Sequence, residues 1–195
     1  MILFLGLAGA TAAWLLFGKA PMLVVENHLV EPIKVVLGAE TFEVPAGGTA
    51  QRKVRAKGPL VAQWYISRPA GPGGQPLGVE LQGSISAPDP KGTMTFEVDA
   101  SSGEKPVFAP LVTNTTDQPL AITVNAGTVN ALVCDCRVNP GVTRAKIGYY
   151  PLYLNSSVQA STPSGGIATF RDLGAQVDRT SGTVGLRFEP KDFPK

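Results

Sequence analysis

One histidine, two cysteines and a formal net charge of only +2 are spread over 195 residues. Each scarcity excludes something. His28 is the only imidazole, so a Ser/His/Asp triad would have to rest on a turn residue with no flanking motif. No G-x-S-x-G elbow, H-E-x-x-H pair or phosphate-binding glycine loop occurs, and no carboxylate pair stands out. The chain does not read as an enzyme. Cys134 and Cys136 are the only thiols, too few ligands for a thiolate zinc site. Neither a metal nor a cofactor is expected. The small positive charge gives no electrostatic footprint for nucleic acid. After residue 20 no helix longer than a turn is legible. The ligand is not legible either.

What is present is turn chemistry and strand pattern. Gly 22 and Pro 17 are high for a helical protein, and hydrophobic residues reach 44%. That combination fits many short strands joined by turns and argues against a disordered chain.

The chain also states one pattern twice. Ala20-Pro21-Met22-Leu23-Val24-Val25-Glu26-Asn27 is followed, four residues on, by Pro32-Ile33-Lys34-Val35-Val36-Leu37. Ala109-Pro110-Leu111-Val112-Thr113-Asn114 is followed, four residues on, by Pro119-Leu120-Ala121-Ile122-Thr123-Val124. Each copy then reaches a turn, Gly47-Gly48-Thr49 or Gly141-Val142-Thr143. Strands beginning at Gly92 and Gly166 close the copies in this alignment, pairing Phe96 with Phe170. Such a repeat argues for tandem units. The expected fold is all-β, with two immunoglobulin-like or related β-sandwich modules at about 20–100 and 107–190, joined by Ser101–Pro106. No Cys…Trp…Cys pattern is present, so the expectation is one of architecture. Ile33, Val35 and Leu37, and likewise Leu120, Ile122 and Val124, should face inward. The second copy carries extra residues from Thr128 to Asp135. It also has Tyr149–Leu154 where the first has a Pro/Gly loop at 69–74.

Residues 1–19 read as a signal anchor or signal peptide. Ile2 to Phe17 carries no charge. As a helix its 16 residues would span about 24 Å, slightly short of the roughly 30 Å of a bilayer core. Trp14 and Lys19 could sit at an interface. The anchor is favoured over cleavage. The Ala10-Thr11-Ala12 site leaves too short an apolar region before it, and no basic residue precedes the segment. The β modules are then expected outside the cytoplasm, membrane-anchored, or periplasmic or secreted after cleavage.

Three groups are candidate sites. Cys134 and Cys136, two apart, suggest a local disulfide or a redox pair. In a regular strand their Cα atoms would be about 6.5–7 Å apart, at the limit for a bridge, so a bulge or turn is needed. Lys53, Arg55 and Lys57 alternate along a strand running to residue 57, with Arg52 beside them. They could meet anionic headgroups at about 1 kcal/mol per residue, or simply keep an edge strand solvated. Tyr149, Tyr150 and Tyr153, with Trp64 and Tyr65, offer an aromatic ligand platform; strand core is the simpler account. Asn114-Thr115-Thr116 and Asn155-Ser156-Ser157 match glycosylation sequons.

The functional expectation is a non-catalytic binding or structural protein. Its partners would be the membrane through residues 2–17 and another protein or a surface polymer. A thiol–disulfide redox protein is one alternative. A subunit of a cell-envelope assembly, held by edge-strand pairing, is another.

Overall fold

The computed structural model describes residues 20–54, 58–66, 68–69 and 77–193. The apolar segment 2–17 lies outside them, as do Arg55, Lys57 and most of the Pro/Gly loop. The fold is all-β. Among the described residues the helical content is two single 3-10 turns, Leu173–Ala175 and Pro190–Asp192.

Seven strands form the first unit: β1 (Met22–Asn27), β2 (Ile33–Leu37), β3 (Glu40–Val44), β4 (Thr49–Lys53), β5 (Leu60–Ile66), β6 (Leu81–Ala87) and β7 (Thr93–Val98). They make two sheets, ordered β4-β1-β7 and β3-β2-β5-β6. Several of these strands bury alternate residues, though β1 buries Leu23, Val24 and Val25 in a row and β4 buries none fully. In β5, Leu60, Ala62, Trp64 and Ile66 are buried while Val61 and Gln63 are exposed, the period-two signature of a sheet with one face in a core. Leu23 and Val25 from one sheet and Ile33, Val35, Phe42 and Trp64 from the other share a single buried cluster. Each fully buried Val, Leu or Ile there contributes about 1.5–3 kcal/mol of transfer free energy.

The second unit also forms two sheets. Its strands are β8 (Val107–Asn114), β9 (Leu120–Val124), β10 (Leu132–Val138), β11 (Ala145–Lys146), β12 (Tyr150–Pro151), β13 (Val158–Ser161), β14 (Ile167–Phe170) and β15 (Thr183–Phe188). One sheet is ordered β10-β9-β13-β14; in the other, β8 lies between β15 and the short pair β11 and β12. The first strand of each unit is antiparallel to the fourth, β1 with β4 and β8 with β11. It is parallel to the last, β1 with β7 and β8 with β15.

Asn27 and Asn114 hold the same place in the two units, and for the same reason. Both are buried. The Asn27 amide donates to the carbonyls of Glu31, Val44 and Pro45 at 2.9, 3.2 and 3.0 Å, and its oxygen accepts from the Leu29 N–H at 3.0 Å. The Asn114 amide donates to Gln118 and Val138 at 2.8 Å each, and its oxygen accepts from the Thr116 N–H at 2.9 Å. One side chain thus closes the turn before the next strand and ties it to the end of the third, satisfying backbone groups that would otherwise be buried unpaired. At the two sequons, Asn114 is buried with its side chain engaged in this turn, and Asn155 is exposed.

One sequence alignment needs correction. Phe96 lies in β7, parallel to β1 and opposite Val25. Phe170 lies in β14, antiparallel to β13. The register instead matches Phe96 with Leu186, which pairs with Val112. Both Gly92 and Gly166 precede a strand with the same Thr/Phe spacing. Only long-range pairing distinguishes the last strand from the one before it. The inward triplets are as expected: Ile33, Val35, Leu120, Ile122 and Val124 are buried, and Leu37 packs half-buried against the first core.

Candidate functional site

Cys134 and Cys136 are bridged, with Cα atoms 5.0 Å apart. That is closer than a regular strand allows, and the pairing of β10 with β9 shifts register between Val133 and Arg137. The expected bulge is therefore present. Both residues are almost fully buried within the second core, beside Phe108, Ile147 and Tyr150. Cys134 Sγ lies 3.8 Å from the Ile147 carbonyl oxygen; as a disulfide sulfur it has no proton to donate, so this is packing contact only. Thiol–disulfide exchange requires an accessible sulfur, and burial withholds one.

The tyrosines do not gather on one surface. Tyr149 and Tyr150 are both about 1% exposed, and only Tyr153 reaches solvent. Tyr65, on β5, is half-buried, and Trp64 is in the first core. The two buried tyrosines have parted company. Tyr150 packs in the second core, its hydroxyl donating to the Ile147 carbonyl at 2.7 Å. Tyr149, although it belongs to the second unit, packs in the first core. Leu77 makes the opposite crossing, from the first unit into the second core.

At this crossing the chains touch backbone to backbone. A Cβ on Gly78 would fall well inside contact distance of the Tyr149 carbonyl oxygen and 2.7 Å from its nitrogen; one on Gly148 would meet the Leu77 carbonyl group at 2.8 Å. Glycine is required on both sides. The Val79 N–H donates to the Tyr149 carbonyl at 2.8 Å, and the Ala100 N–H to that of Thr180 at 3.1 Å. The Tyr149 hydroxyl accepts from the Val30 N–H at 2.9 Å and donates to the Ser181 carbonyl at 3.2 Å. Lys146 adds a bond to the Val30 carbonyl at 2.6 Å and an ion pair with Glu31 at 3.5 Å. Burial pushes the phenols of Tyr149 and Tyr150 up to about 12, because neither can ionise without placing a charge in an apolar core.

Of the basic group only Lys53 is among the described residues. It is exposed at the end of β4, an edge strand whose described extent is Thr49–Lys53; the remainder of the expected strand, to residue 57, lies outside the described residues. Lys53 pairs with Met22, and the Val54 N–H donates to the Pro21 carbonyl at 2.7 Å. Lys53 therefore lies at the end of the sheet where Pro21 and Met22 enter β1. Arg52 reaches from β4 to β3 of the other sheet, 4.5 Å above the Phe42 ring and 3.1 Å from Glu40.

A fourth group escaped the sequence reading. Glu26 and Glu97 are register partners on β1 and β7, on the face opposite the core. His28 follows β1, two residues beyond Glu26. Its Nε2 lies 4.0 Å from a Glu26 oxygen and 3.8 Å from a Glu97 oxygen. The Glu26-x-His28 spacing is a local signal for one side of a strand. Glu97 is distant in sequence and arrives only through the parallel pairing.

The chain matches no protein-family model, and no curated protein matches it.

Proposed function

We propose that this is a non-catalytic binding or structural protein, held in a membrane through residues 2–17, presenting two immunoglobulin-like β-sandwich modules outside the cytoplasm. The interlock carries this reading. Each unit inserts one large side chain, Leu77 or Tyr149, into the other's core. Two modules joined in this way act as a stiff spacer, unlike units hung on a free linker. In each unit two sheets pack around one buried cluster, and the first strand runs parallel to the last. These features support the sandwich reading. A disulfide favours an oxidising compartment. An anchor at residues 2–17 would bring Lys53 and the basic stretch after it close to the headgroups. Val61, 62% exposed, lines an open depression with Arg52 and Lys53 at that same end. Among the described residues no helix is long and apolar enough to cross a membrane, so the anchor rests on the segment outside them.

The partner is another protein or a surface polymer. On the second unit Val129, Val133 and Leu154 are at least 74% exposed, and a contact covering them would gain apolar burial.

Fractionation tests the proposal. The full-length chain should resist alkaline extraction from membranes, and a chain beginning at Pro21 should be soluble and folded. Protease added to intact spheroplasts should digest the modules. Protection from that protease overturns the extracytoplasmic reading. A mature N-terminus at Ala13 overturns the anchor but leaves export intact. Loss of a measurable thiol–disulfide exchange activity on replacing both cysteines by alanine would establish the redox alternative instead.

A further inference from the structure

The outer face of the β4-β1-β7 sheet places two carboxylates side by side. Like charges directly opposite each other on neighbouring strands are destabilising. Among the described residues neither Glu26 nor Glu97 has a Lys or Arg within ion-pair distance; their only such neighbour is His28. The His28 ring is one-third exposed, yet its Nε2 atom is shut off from solvent and has no hydrogen-bond partner. At 3.8 and 4.0 Å the carboxylates are beyond hydrogen-bond range. A buried nitrogen left unpaired costs about 1–3 kcal/mol, and here it faces two anions.

We propose that Glu26, His28 and Glu97 bind a first-row divalent metal ion of the zinc type, through His28 Nε2 and one oxygen of each carboxylate. Their donor atoms lie within 4.8 Å of one another. Two donors on a tetrahedral zinc, each about 2.1 Å from it, are about 3.4 Å apart. The two gaps to His28 Nε2 would need to close by about half an ångström and the gap between the carboxylates by up to about 1.4 Å, within the reach of two half-exposed to exposed Glu side chains. Imidazole plus carboxylate selects zinc-type ions over calcium or magnesium, which take oxygen ligands. Three protein ligands leave a position for water or for a donor from a partner. The second unit serves as an internal comparison. By strand register Glu26 and Glu97 correspond to Thr113 and Arg187, which pair with each other, and His28 corresponds to Thr115. That unit cannot form the site.

His28 is the protein's only histidine, so its ring signals report binding without ambiguity. The full-length chain, in detergent and without a polyhistidine tag, is titrated with zinc chloride against a chromophoric chelator. One equivalent should bind, and the His28 imidazole resonances should shift at constant pH. His28→Gln and Glu97→Gln should each weaken uptake at least about tenfold, while Asp89→Asn, at an exposed carboxylate elsewhere on the unit, should not. Glu97 is 68% exposed, so its variant will fold even if the His28 variant does not. Uptake unchanged in Glu97→Gln, imidazole signals that move with pH but not with zinc, or equal affinity for calcium would each overturn the proposal.

Discussion

Replacing Tyr149 with phenylalanine removes one oxygen from the crossing point and leaves the ring in place. The Val30 N–H loses its acceptor and the Ser181 carbonyl its donor. A polar group left unsatisfied beside the core costs about 1–3 kcal/mol, and an ordinary hydrogen bond contributes about 1 kcal/mol. The expected loss is about 2–3 kcal/mol. With a urea m-value near 3 kcal/mol/M, the midpoint should fall by about 0.7–1 M. Trp64, in the first core, can report this if Trp14 is replaced by phenylalanine in the background. The substitution is in the second unit and the signal comes from the first, so the measurement asks whether the interlock couples them. Alkali provides an independent check. An unfolded phenol releases its proton near pH 10, whereas burial holds that of Tyr149 to about 12. Across that window the native state binds more protons than the unfolded chain, so stability is complete below pH 10 and falls as pH rises. At about 1.4 kcal/mol per unit, each buried tyrosine accounts for about 2 kcal/mol of loss by pH 12, approaching about 3 kcal/mol above it. Tyr149→Phe should therefore show roughly half the wild-type alkaline loss, the remainder belonging to Tyr150, also raised by burial to about 12. A Trp64 midpoint unchanged within 0.2 M (about 0.6 kcal/mol), with an unaltered alkaline slope, would refute the coupling.

Gly78→Ala and Gly38→Ala both place a side chain at positive φ, +70° and +62°, but only Gly78 is also closed in by backbone; calorimetry should show about 1 kcal/mol of loss at Gly38 and several times that at Gly78. Asn114→Ala should cost about 2–4 kcal/mol, because it leaves the Val138 carbonyl and the Thr116 N–H without the partners Asn114 gave them, while the Gln118 carbonyl keeps only the Thr116 hydroxyl, and Asn114→Asp should be worse still since it turns a carboxylate oxygen toward carbonyls; denaturant midpoints would check both. Sequence alone makes a double Cys→Ser change nearly neutral, because a bridge between residues two apart closes little chain. Burial alters that expectation: two hydroxyls in the second core should cost about 1–3 kcal/mol each unless they find acceptors, so Cys134→Ala/Cys136→Ala should be the more stable of the two double variants by thermal unfolding.

The sequence by itself determined what is local. Alternation in Leu60–Ile66, the apolar triplets after Pro32 and Pro119, and the Asn-x4-Pro spacing each specify a strand or a turn within a few residues, because side-chain period and turn chemistry act over that range. The need for a bulge at Cys134–Cys136 was legible too, since it follows from the reach of a disulfide. Tertiary structure decided what depends on residues far apart in the chain. Parallel pairing made β15, rather than β14, the counterpart of β7, which a shared Gly/Thr/Phe spacing could not reveal. It also set Glu97 beside Glu26 and His28. The same limit hid the fate of Tyr149 and Tyr150. Tyr149 lies just before β12 and Tyr150 opens it, and only the docking of the two units put a core on each side to receive the two rings.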